Sequence, residues 1–333
     1  MPADALPRIA IAIGDPAGIG PEVSLKAARD AGVQKICRPL LVGDPAAIAM
    51  HAKACGLAPE LNVVREVAQA SWSGGAVNVL EAASRDNVEI RLGSIDPAYG
   101  RASLDAARRA IKAALAREVE AVVAAPQTEK SIALAGIAFD GYPTFVARET
   151  CIDARDVYLM LCFDDYRVVN MTLHCSVRDA LAMVTRERVA HVIRATAGAL
   201  QRMGIAAPRI CVGGLNPHAG EDGLFGREEI EIIAPAIAGA RAAGLDVSGP
   251  LGADTMFHRR DCDAHIVMLH DQGHIPAKLL GFERTAALPI GTPILFASVA
   301  HGSAHDIAGK GVANPGAMIA AVTRMAKAAG HGG

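Results

Sequence analysis

The chain has 333 residues, of which 51% are hydrophobic and 4% aromatic, and its formal net charge at pH 7 is -2. This length is too great for one ordinary core and too small for three, so it predicts two α/β domains. The near-neutral charge provides no basic field for nucleic acid, and we therefore expect a small-molecule partner.

Taken in chain order, short β-rich runs alternate with helical patterns, as in layered α/β folds. RIAIAI (8–13) predicts a buried strand, and GDPAGIGPE (14–22) predicts the loop into a helix that continues from Glu22. RPLLVGDPAAIAMHAKACG repeats the order strand, turn, helix. SLDAARRAIKAALA places apolar side chains on one helical face, and VEAVVAAP predicts the next strand. A later amphipathic helix should stop at Gly204, because glycine readily takes the left-handed C-cap conformation.

Export and membrane signals are not found in the sequence. The N-terminus has no basic segment followed by a long apolar one, and no stretch reaches the roughly 18 uninterrupted apolar residues of a membrane span, so we expect a cytoplasmic protein. The cysteines are scattered without a CxxC pair, which argues against a disulfide framework and against a cysteine zinc site. They are Cys37, Cys55, Cys151, Cys162, Cys175, Cys211 and Cys262.

Three of the eleven histidines, His174, His218 and His270, follow apolar runs that predict strands. In open α/β sheets ligands bind at the carboxyl ends of strands, and three imidazoles there can hold a divalent metal while leaving a position for substrate. A single loop histidine is more often a surface or turn residue, so both interpretations stand at this point. His274, four residues after His270, is an alternative ligand.

Two glycine-bearing loops are candidates for ligand binding. GDPAGIGPE follows a strand and opens a helix, so its backbone N–H groups suit an anion, although a tight strand-to-helix turn explains it equally well. In residues 301–318 small residues let a ligand approach the backbone. The polar members of this loop are His301, Ser303, Asp306 and Asn314. The structural alternative is a surface loop in which Asn314 caps the following helix.

These segments together resemble a known family. HGSAHDIAGKGVANP is similar to the adenosine-binding segment of the isopropylmalate and isocitrate dehydrogenases. GDPAGIGPE, GLNPHAGE, GPLGADTMF and HDQGHIPAK resemble the PdxA family, whose best-known member is 4-hydroxythreonine-4-phosphate dehydrogenase. The motifs occur in the family's order from residue 14 to about residue 316, so the resemblance covers nearly the whole chain.

The resemblance implies a two-domain α/β fold of the isocitrate/isopropylmalate dehydrogenase type, with an active site in the interdomain cleft at a homodimer interface. It implies a cofactor-binding domain from residues 1–127 and 288–333. The second domain, residues 128–287, would contain the metal ligands and the dimer interface.

The family's functional positions carry over to particular residues. Its three metal-ligand positions, some reached from the partner subunit, are occupied by His174, His218 and His270. Its substrate-site positions are matched by Asp254 and Lys278, which we take as the catalytic candidates. Lys278 would transfer a proton, because repulsion from a divalent cation favours the neutral amine, or it would bind the substrate carboxylate. The adenosine end of the cofactor would be contacted by His301, Gly302, Ser303, Asp306 and Asn314. A carboxylate at Asp306 near the ribose favours NAD over NADP.

The chain departs from the family's phosphate-binding pattern. Members that act on the phosphorylated substrate carry Gly-His-Thr where this chain has Gly141, Tyr142 and Pro143, and their Asn and Arg become Ala287 and Phe296. A phosphate dianion would lose charged hydrogen bonds worth roughly 1.5 to 3 kcal/mol each. The terephthalate cis-dihydrodiol dehydrogenase branch is similar in carrying GYP here, and its substrate has no phosphate. Tyr142 and Phe296 are therefore predicted substrate contacts, with core packing of Phe296 as the alternative.

The sequence thus predicts a metal- and NAD-dependent oxidative decarboxylation of a β-hydroxy acid. The predicted substrate is a terephthalate-type cis-dihydrodiol, which would give a catechol, protocatechuate, and carbon dioxide. Zinc is the first choice of metal, while iron, cobalt, nickel and manganese also suit three imidazoles. One alternative is oxidation of 4-hydroxythreonine-4-phosphate, as in pyridoxine biosynthesis, or of phospho-threonate or phospho-erythronate. The other, from a different class, is a non-catalytic small-molecule binding protein.

Overall fold

The computed structural model describes residues 6–82, 89–281 and 285–330. The chain divides into two compact units: the first runs to Thr150 and resumes at Pro293, and the second is Cys151–Thr292. Strands and helices alternate in both units, which confirms the predicted α/β class. The predicted division into a cofactor-binding domain and a metal-binding domain, with limits after residues 127 and 287, stays a prediction. Among the described residues no helix combines the length and the apolar character needed to cross a membrane.

Strands and helices follow one another along both units. The described strands are β1 (Arg8–Ala12), β2 (Arg38–Gly43), β3 (Leu61–Val64), β4 (Val77–Glu81), β5 (Ala121–Ala124), β6 (Tyr158–Phe163), β7 (Tyr166–Asn170), β8 (Arg209–Gly213), β9 (Asp246–Leu251), β10 (Ala264–Val267), β11 (Ala286–Ile290) and β12 (Leu295–Val299). The described α-helices are α1 (Gly20–Ala28), α2 (Ala31–Ile36), α3 (Pro45–Ala54), α4 (Pro97–Leu115), α5 (Glu129–Leu134), α6 (Tyr142–Glu149), α7 (Val177–Met183), α8 (Arg186–Arg202), α9 (Ala234–Ala242), α10 (His270–Gly281) and α11 (Gly316–Gly330). The strands and helices predicted from the N-terminal half of the sequence are confirmed.

In the first unit the strands pair in the order β3-β4-β2-β1-β5-β12, and every pairing is parallel. β1 and β5 are buried almost throughout, which is why their sequences are continuous apolar runs without alternation. Because parallel strands end at the same edge, residues that follow β1, β5 and β12 are brought together. These residues belong to the segments 14–19, 126–128 and 301–306.

Helix α4 shows how an alanine-rich sequence covers this sheet. Asp96 accepts a hydrogen bond from the Ala98 amide at 2.8 Å and caps the helix, and Pro97 occupies its first turn. The predicted apolar face is confirmed, because Leu104, Ala107 and Ile111 are all buried. Small side chains let the helix lie close to the strands, so the core needs few aromatic residues.

In the second unit the order is β11-β6-β7-β10-β8-β9. β6 pairs with both β11 and β7 in antiparallel orientation, whereas β7, β10, β8 and β9 are parallel. β7, β10 and β8 are therefore neighbours whose carboxyl ends share one edge, and the three predicted histidines follow these three strands. Helix α8 ends two residues before Gly204, whose φ of 87° confirms the predicted left-handed stop.

Candidate functional site

His174 and His270 meet at the carboxyl edge of the second unit. Their ring centroids are 5.7 Å apart, and both side chains line a cavity of about 290 Å³ beside Thr172 and Asp271. His270 is the first residue of α10, and its Nδ1 lies 2.7 Å from Asp271 Oδ1. This hydrogen bond places the proton on Nδ1, so the Nε2 lone pair is available to a cation.

We call the carboxyl edge of the second unit, which carries His174, His218 and His270, the histidine edge. The next two turns of α10 extend it. The His274 ring stacks on His270 with centroids 3.7 Å apart, and its Nδ1 lies 3.2 Å from the His270 carbonyl oxygen. Burial, and secondarily the charge of His270, lowers the pKa of His274 to about 4, so this ring is neutral near pH 7. Lys278 stands four residues further on, on the same helical face, and is exposed. Its ammonium also contributes to the low pKa of His274.

His218 lies in an unusual backbone segment after β8. Residues 218–222 all have positive φ, and His218 itself has φ 51°, a conformation that costs about 1 to 3 kcal/mol for a non-glycine residue. Its Nδ1 lies 3.2 Å from Glu221 Oε2. Within the described residues, the nitrogens of the three histidines do not form a group closer than 4.8 Å. The chain alone thus brings His174 and His270 together, and leaves His218 on a separate loop.

Asp254 lies on a loop that packs against His218. A side chain at Gly252 would place its Cβ 3.7 Å from His218 Cα and 2.8 Å from Asp254 Oδ1, so glycine allows this approach. Asp254 is exposed, as expected for a residue that meets a ligand rather than the core. The loop therefore places the Asp254 carboxylate close to the backbone of His218.

The donor chemistry of the histidine edge fits a divalent metal. His270 and His218 each present Nδ1 to a carboxylate, Asp271 and Glu221 respectively. An imidazole whose second nitrogen is held by a carboxylate is the usual arrangement of metal-binding histidines, because the partner fixes the tautomer and the ring orientation. These side chains are also 30% and 64% exposed, so a ligand can reach them.

In the first unit the glycine loops pack against each other. Ser303 is 6% exposed, its Oγ accepts a hydrogen bond from Thr128 Oγ1 at 2.9 Å, and its carbonyl accepts one from the Ile19 amide at 2.8 Å. A Cβ on Gly18 would lie 2.7 Å from Ser303 Cβ, so only glycine permits this contact. The predicted cofactor residue Ser303 is therefore held firmly in a buried position.

Sequence reasoning missed two residues of this cluster, Asp15 and His305. Asp15 is 1% exposed, and its carboxylate lies 3.3 Å from His305 Nε2 and accepts a hydrogen bond from the Ala17 amide at 2.9 Å. Thr128 Oγ1 also lies near this nitrogen, 3.4 Å from His305 Nε2. Asp15 belongs to GDPAGIGPE, for which the sequence predicts only backbone contacts. An aspartate inside a glycine-rich loop is the sequence signal that could have identified it.

Two buried polar groups at this edge lack a partner. Among the described residues, both amide atoms of Gln127 and the Nε2 of His301 are buried without a hydrogen bond. Gln127 follows β5 and His301 follows β12, so each stands at the carboxyl end of a parallel strand. Buried polar atoms are nearly always hydrogen-bonded in native proteins, so these atoms are suited to pair with a water molecule or a ligand at this edge.

The other predicted cofactor residues are more exposed. Asp306 lies on a short turn, and both it and Gly302 are exposed. Asn314 Oδ1 accepts a hydrogen bond from the Gly316 amide at 2.8 Å. This bond fits the structural alternative for Asn314, a cap at the start of the helix that follows, while its contact with the cofactor stays a prediction.

Tyr142 and Phe296 form an aromatic contact in the first unit. Their ring centroids are 5.1 Å apart, and the Tyr142 hydroxyl donates to the Ala125 carbonyl at 3.1 Å. Burial raises the pKa of Tyr142 above its ordinary value. Phe296 is 1% exposed and belongs to the hydrophobic core, which fits the alternative of core packing, while its contact with substrate stays a prediction. Its ring packs against the Tyr142 ring.

Known proteins with similar sequences or structures indicate the family. The sequence pattern of the family described as "Pyridoxal phosphate biosynthetic protein PdxA" matches residues 35–325. A Comamonas protein named "1,2-dihydroxy-3,5-cyclohexadiene-1,4-dicarboxylate dehydrogenase" is 38% identical over 318 residues, with 96% of each chain covered. A Clostridium botulinum protein named "Putative D-threonate 4-phosphate dehydrogenase" is 36% identical over 324 residues, again with 96% of each chain covered. The crystal structure of a 4-hydroxythreonine-4-phosphate dehydrogenase from Burkholderia phymatum superposes with a TM-score of 0.86 at 35% identity, covering 97% of this chain and 98% of that one.

Proposed function

Because the chain belongs to the PdxA family, whose relatives above are dehydrogenases, we propose that it oxidises and decarboxylates a carboxylated cis-dihydrodiol of the terephthalate type with NAD. The observation that carries this proposal is the aromatic contact between Tyr142 and Phe296. These residues occupy positions where members that bind a phosphorylated substrate carry an imidazole and a guanidinium.

The chemistry of this pair disfavours a phosphate dianion. Phe296 has no polar group, and the Tyr142 hydroxyl already donates to a backbone carbonyl and stays neutral because burial raises its pKa. A dianion there would lose charged hydrogen bonds that are each worth roughly 1.5 to 3 kcal/mol. An uncharged six-membered ring needs no such donors, and an aromatic side chain offers it a flat apolar surface.

The histidine edge would hold the metal. When bound, a divalent metal polarises the hydroxyl and carbonyl oxygens of the substrate and so favours hydride loss and decarboxylation. His174 and His270 would be its ligands from one chain, with His218 as the third. Asp271 would keep the His270 ring oriented through the 2.7 Å hydrogen bond.

Lys278 is the candidate group for proton transfer, with binding of the substrate carboxylate as its alternative role. Neutral His274, which stacks on His270, adds no positive charge between His270 and Lys278. If Lys278 transfers protons, Lys278→Met lowers kcat on the order of 10²-fold and Lys278→Arg does not restore it. If it binds the carboxylate, Lys278→Arg retains kcat and the loss in Lys278→Met is mainly in KM.

The edge of the first unit would hold NAD. The unpaired atoms of Gln127 and His301 are suited to a ligand that offers both donors and acceptors. Exposed Asp306 would accept a hydrogen bond from the adenosine ribose and repel an added 2'-phosphate. We expect NAD to give a higher kcat/KM than NADP, and Asp306→Asn to reduce that preference in steady-state assays.

A second copy of the chain would complete each metal site. His218 is flanked by apolar side chains that face solvent, Leu224 at 72% and Phe225 at 49% exposure, and α10 exposes Leu279 at 80%. Exposed apolar patches of this kind mark protein contacts. We therefore propose a homodimer in which the partner's loop brings its own copy of the third histidine.

Mixing two inactive variants tests this arrangement. His218→Ala and His270→Ala homodimers are exchanged with each other, and NADH formation is measured. If each site combines residues of both chains, a mixed dimer has one intact site, and random exchange restores about a quarter of the activity by counting of species. Lack of any recovery, with mixed dimers demonstrated by native mass spectrometry, contradicts shared sites.

The substrate proposal is tested by comparing candidate substrates side by side. NADH formation by metal-loaded protein is compared for terephthalate cis-dihydrodiol and for 4-hydroxythreonine-4-phosphate and D-threonate 4-phosphate at matched concentrations. Turnover of the diol with release of carbon dioxide supports the proposal. Preference for a phosphorylated acid favours the second candidate function, which the Clostridium botulinum relative's printed name suggests.

A further inference from the structure

Two cysteines from distant parts of the sequence meet in the second unit. Cys211 lies in β8 and is fully buried, and Cys262 stands two residues before β10. The ligand atoms of these cysteines and of Asp261 all lie within 4.8 Å of one another. In the described part of the chain, this is the group of His, Cys, Asp and Glu side chains that meets this spacing.

His265 adds an imidazole to this cluster. The parallel register of β10 and β8 places His265 opposite Cys211, and its Nε2 lies 3.3 Å from Cys262 Sγ. The residue is 3% exposed, so its ring is shielded from water beside the two cysteines. Among the described residues its Nδ1 has no well-formed hydrogen bond, although the backbone of Arg259 and of Met256 lies close to the ring.

The Cys211 thiol also lies 3.2 Å from the Ser248 hydroxyl, so it stands in a part of the second unit that offers polar neighbours as well as apolar ones. Metal ligands must be deprotonated, so a bound cation would displace the thiol protons.

We propose a second metal site, separate from the histidine edge, whose ligands are Cys211, Cys262, His265 and Asp261. Two thiolates and an imidazole select a thiophilic divalent cation of the zinc class. Tetrahedral bonds of about 2.0 to 2.3 Å require ligand atoms roughly 3.4 to 3.8 Å apart. The ligand atoms of Cys211, Cys262 and Asp261 lie within 4.8 Å of one another, and His265 Nε2 lies 3.3 Å from Cys262 Sγ. The site takes all its ligands from the protein and joins β8 to the segment before β10, so its role is structural.

The site lies at the opposite end of β10 from the predicted catalytic metal. Cys262 precedes the strand and His270 follows it, and a four-residue strand spans about 13 Å. The proposed site runs against the expectation that scattered cysteines argue against a cysteine zinc site. The CxxC criterion considers neighbours in sequence, whereas here the parallel pairing of two strands brings the ligands together.

The decisive experiment removes the histidine edge and then examines the cysteines. The full chain carrying His174→Ala, His218→Ala and His270→Ala is reduced anaerobically with a phosphine and loaded with Co²⁺. We expect one ion per chain by mass spectrometry and a thiolate-to-cobalt charge-transfer absorption. Adding Cys211→Ala and Cys262→Ala abolishes both signals, whereas adding Cys37→Ala, another fully buried cysteine, preserves them.

A second measurement keeps the proposal falsifiable if the paired cysteine variant does not fold. In the unaltered chain, Zn²⁺ should slow alkylation of Cys262 by iodoacetamide at least tenfold, and Asp261→Asn, at an exposed position, should weaken zinc binding about 10- to 100-fold. Absence of the charge-transfer band in the histidine-free chain overturns the proposal. An alkylation rate that zinc leaves unchanged does so independently, and neither result depends on turnover.

Discussion

Both units place polar side chains at the carboxyl ends of parallel strands, but the two edges satisfy these groups in different ways. In the first unit His305 Nε2 lies within hydrogen-bonding distance of both Asp15 and Thr128, and Asp15 is buried. In the second unit His270 and His218 are partly or well exposed, and each is held mainly by a neighbouring carboxylate. Folding completes this cluster of the first edge, although among the described residues the buried amide of Gln127 and His301 Nε2 stay without a hydrogen bond, whereas the second edge keeps exposed nitrogen atoms.

Because of this difference, substitutions at the two edges should affect different properties, stability at one and activity at the other. Removing a member of a buried hydrogen-bonded network leaves its partners unsatisfied, which costs roughly 1 to 3 kcal/mol of stability for each neutral group. Removing an exposed imidazole leaves nothing buried and unpaired, so the folded state loses little. Substitutions of the exposed histidines at the second edge should therefore lower activity and preserve the fold, whereas substitutions in the buried hydrogen-bonded network of the first unit should lower stability.

The largest expected effect is on activity at the second edge. His270→Ala removes a proposed metal ligand, and loss of several kcal/mol of transition-state stabilisation lowers kcat/KM on the order of 10³-fold. The thermal midpoint of the metal-free protein should stay unchanged, because the side chain is 30% exposed. Steady-state kinetics and thermal unfolding are measured on the same preparations.

His258→Ala is the matched control for this prediction, since His258 is an exposed histidine of the same unit outside the proposed site. It should leave both kcat/KM and metal content unchanged. If His270→Ala lowers activity only as much as His258→Ala, or holds as many metal ions per chain as the unaltered protein, the assignment of His270 as a ligand is wrong.

The next effect is on stability in the first unit. Glu22 is fully buried and pairs with Lys26 at 2.7 Å, and the Lys26 ammonium also donates to the carbonyls of Gly311 and Ala313 at 2.9 Å. Lys26→Met leaves the Glu22 carboxylate without its cation. Because Lys26 is 22% exposed, we expect the lower end of the 3–5 kcal/mol range, a loss of about 3 kcal/mol in the free energy of unfolding measured with urea.

Lys35→Met, at an exposed position on α2, controls for loss of a lysine charge and should change stability by less than about 0.5 kcal/mol. Equal stabilities of the two variants would contradict the view that folding completes the first edge. A large loss confined to Lys26→Met would strengthen it.

A smaller effect is expected where the two glycine loops meet. Thr128→Val keeps the shape of the side chain but removes the hydroxyl that bonds Ser303 Oγ at 2.9 Å. The free energy of unfolding should fall by about 1 kcal/mol, because one buried hydroxyl loses its partner. Thr150→Val, whose hydroxyl bonds only carbonyls of its own helix, should cost less. A loss that is the same in both variants argues against a special role for the Thr128 contact.

The sequence was most informative where chain order decides position. Three histidines after three strands could be placed at one edge, because neighbouring parallel strands must end together. The order of strands is not written in the sequence, so the meeting of Cys211 with Cys262 could not be foreseen. The two alternatives for Phe296 stayed open for a related reason: an apolar residue in a buried strand has two faces, and periodicity does not tell which one a ligand shares. The Asp15–His305 contact joins opposite ends of the chain and carries no local pattern.

The smallest expected effect concerns the pH dependence of the first unit. His51 is 1% exposed, its Nε2 donates to the Pro16 carbonyl at 2.9 Å, and burial lowers its pKa below the ordinary value of 6.5. The native state keeps this ring neutral while the unfolded chain takes up a proton below pH 6.5, so the unfolded state binds more protons there. The contribution of His51 to stability is therefore complete above that pH and decreases as the pH falls, with a limiting slope of about 1.4 kcal/mol per pH unit.

His51→Gln retains a donor for Pro16 and cannot titrate, so the stability difference between pH 7 and pH 5.5 should shrink, whereas exposed His258→Gln should leave it unchanged. A pH dependence that His51→Gln does not alter would show that the buried ring charges in the native state, and that the first edge is less closed to protons than its hydrogen bonds indicate.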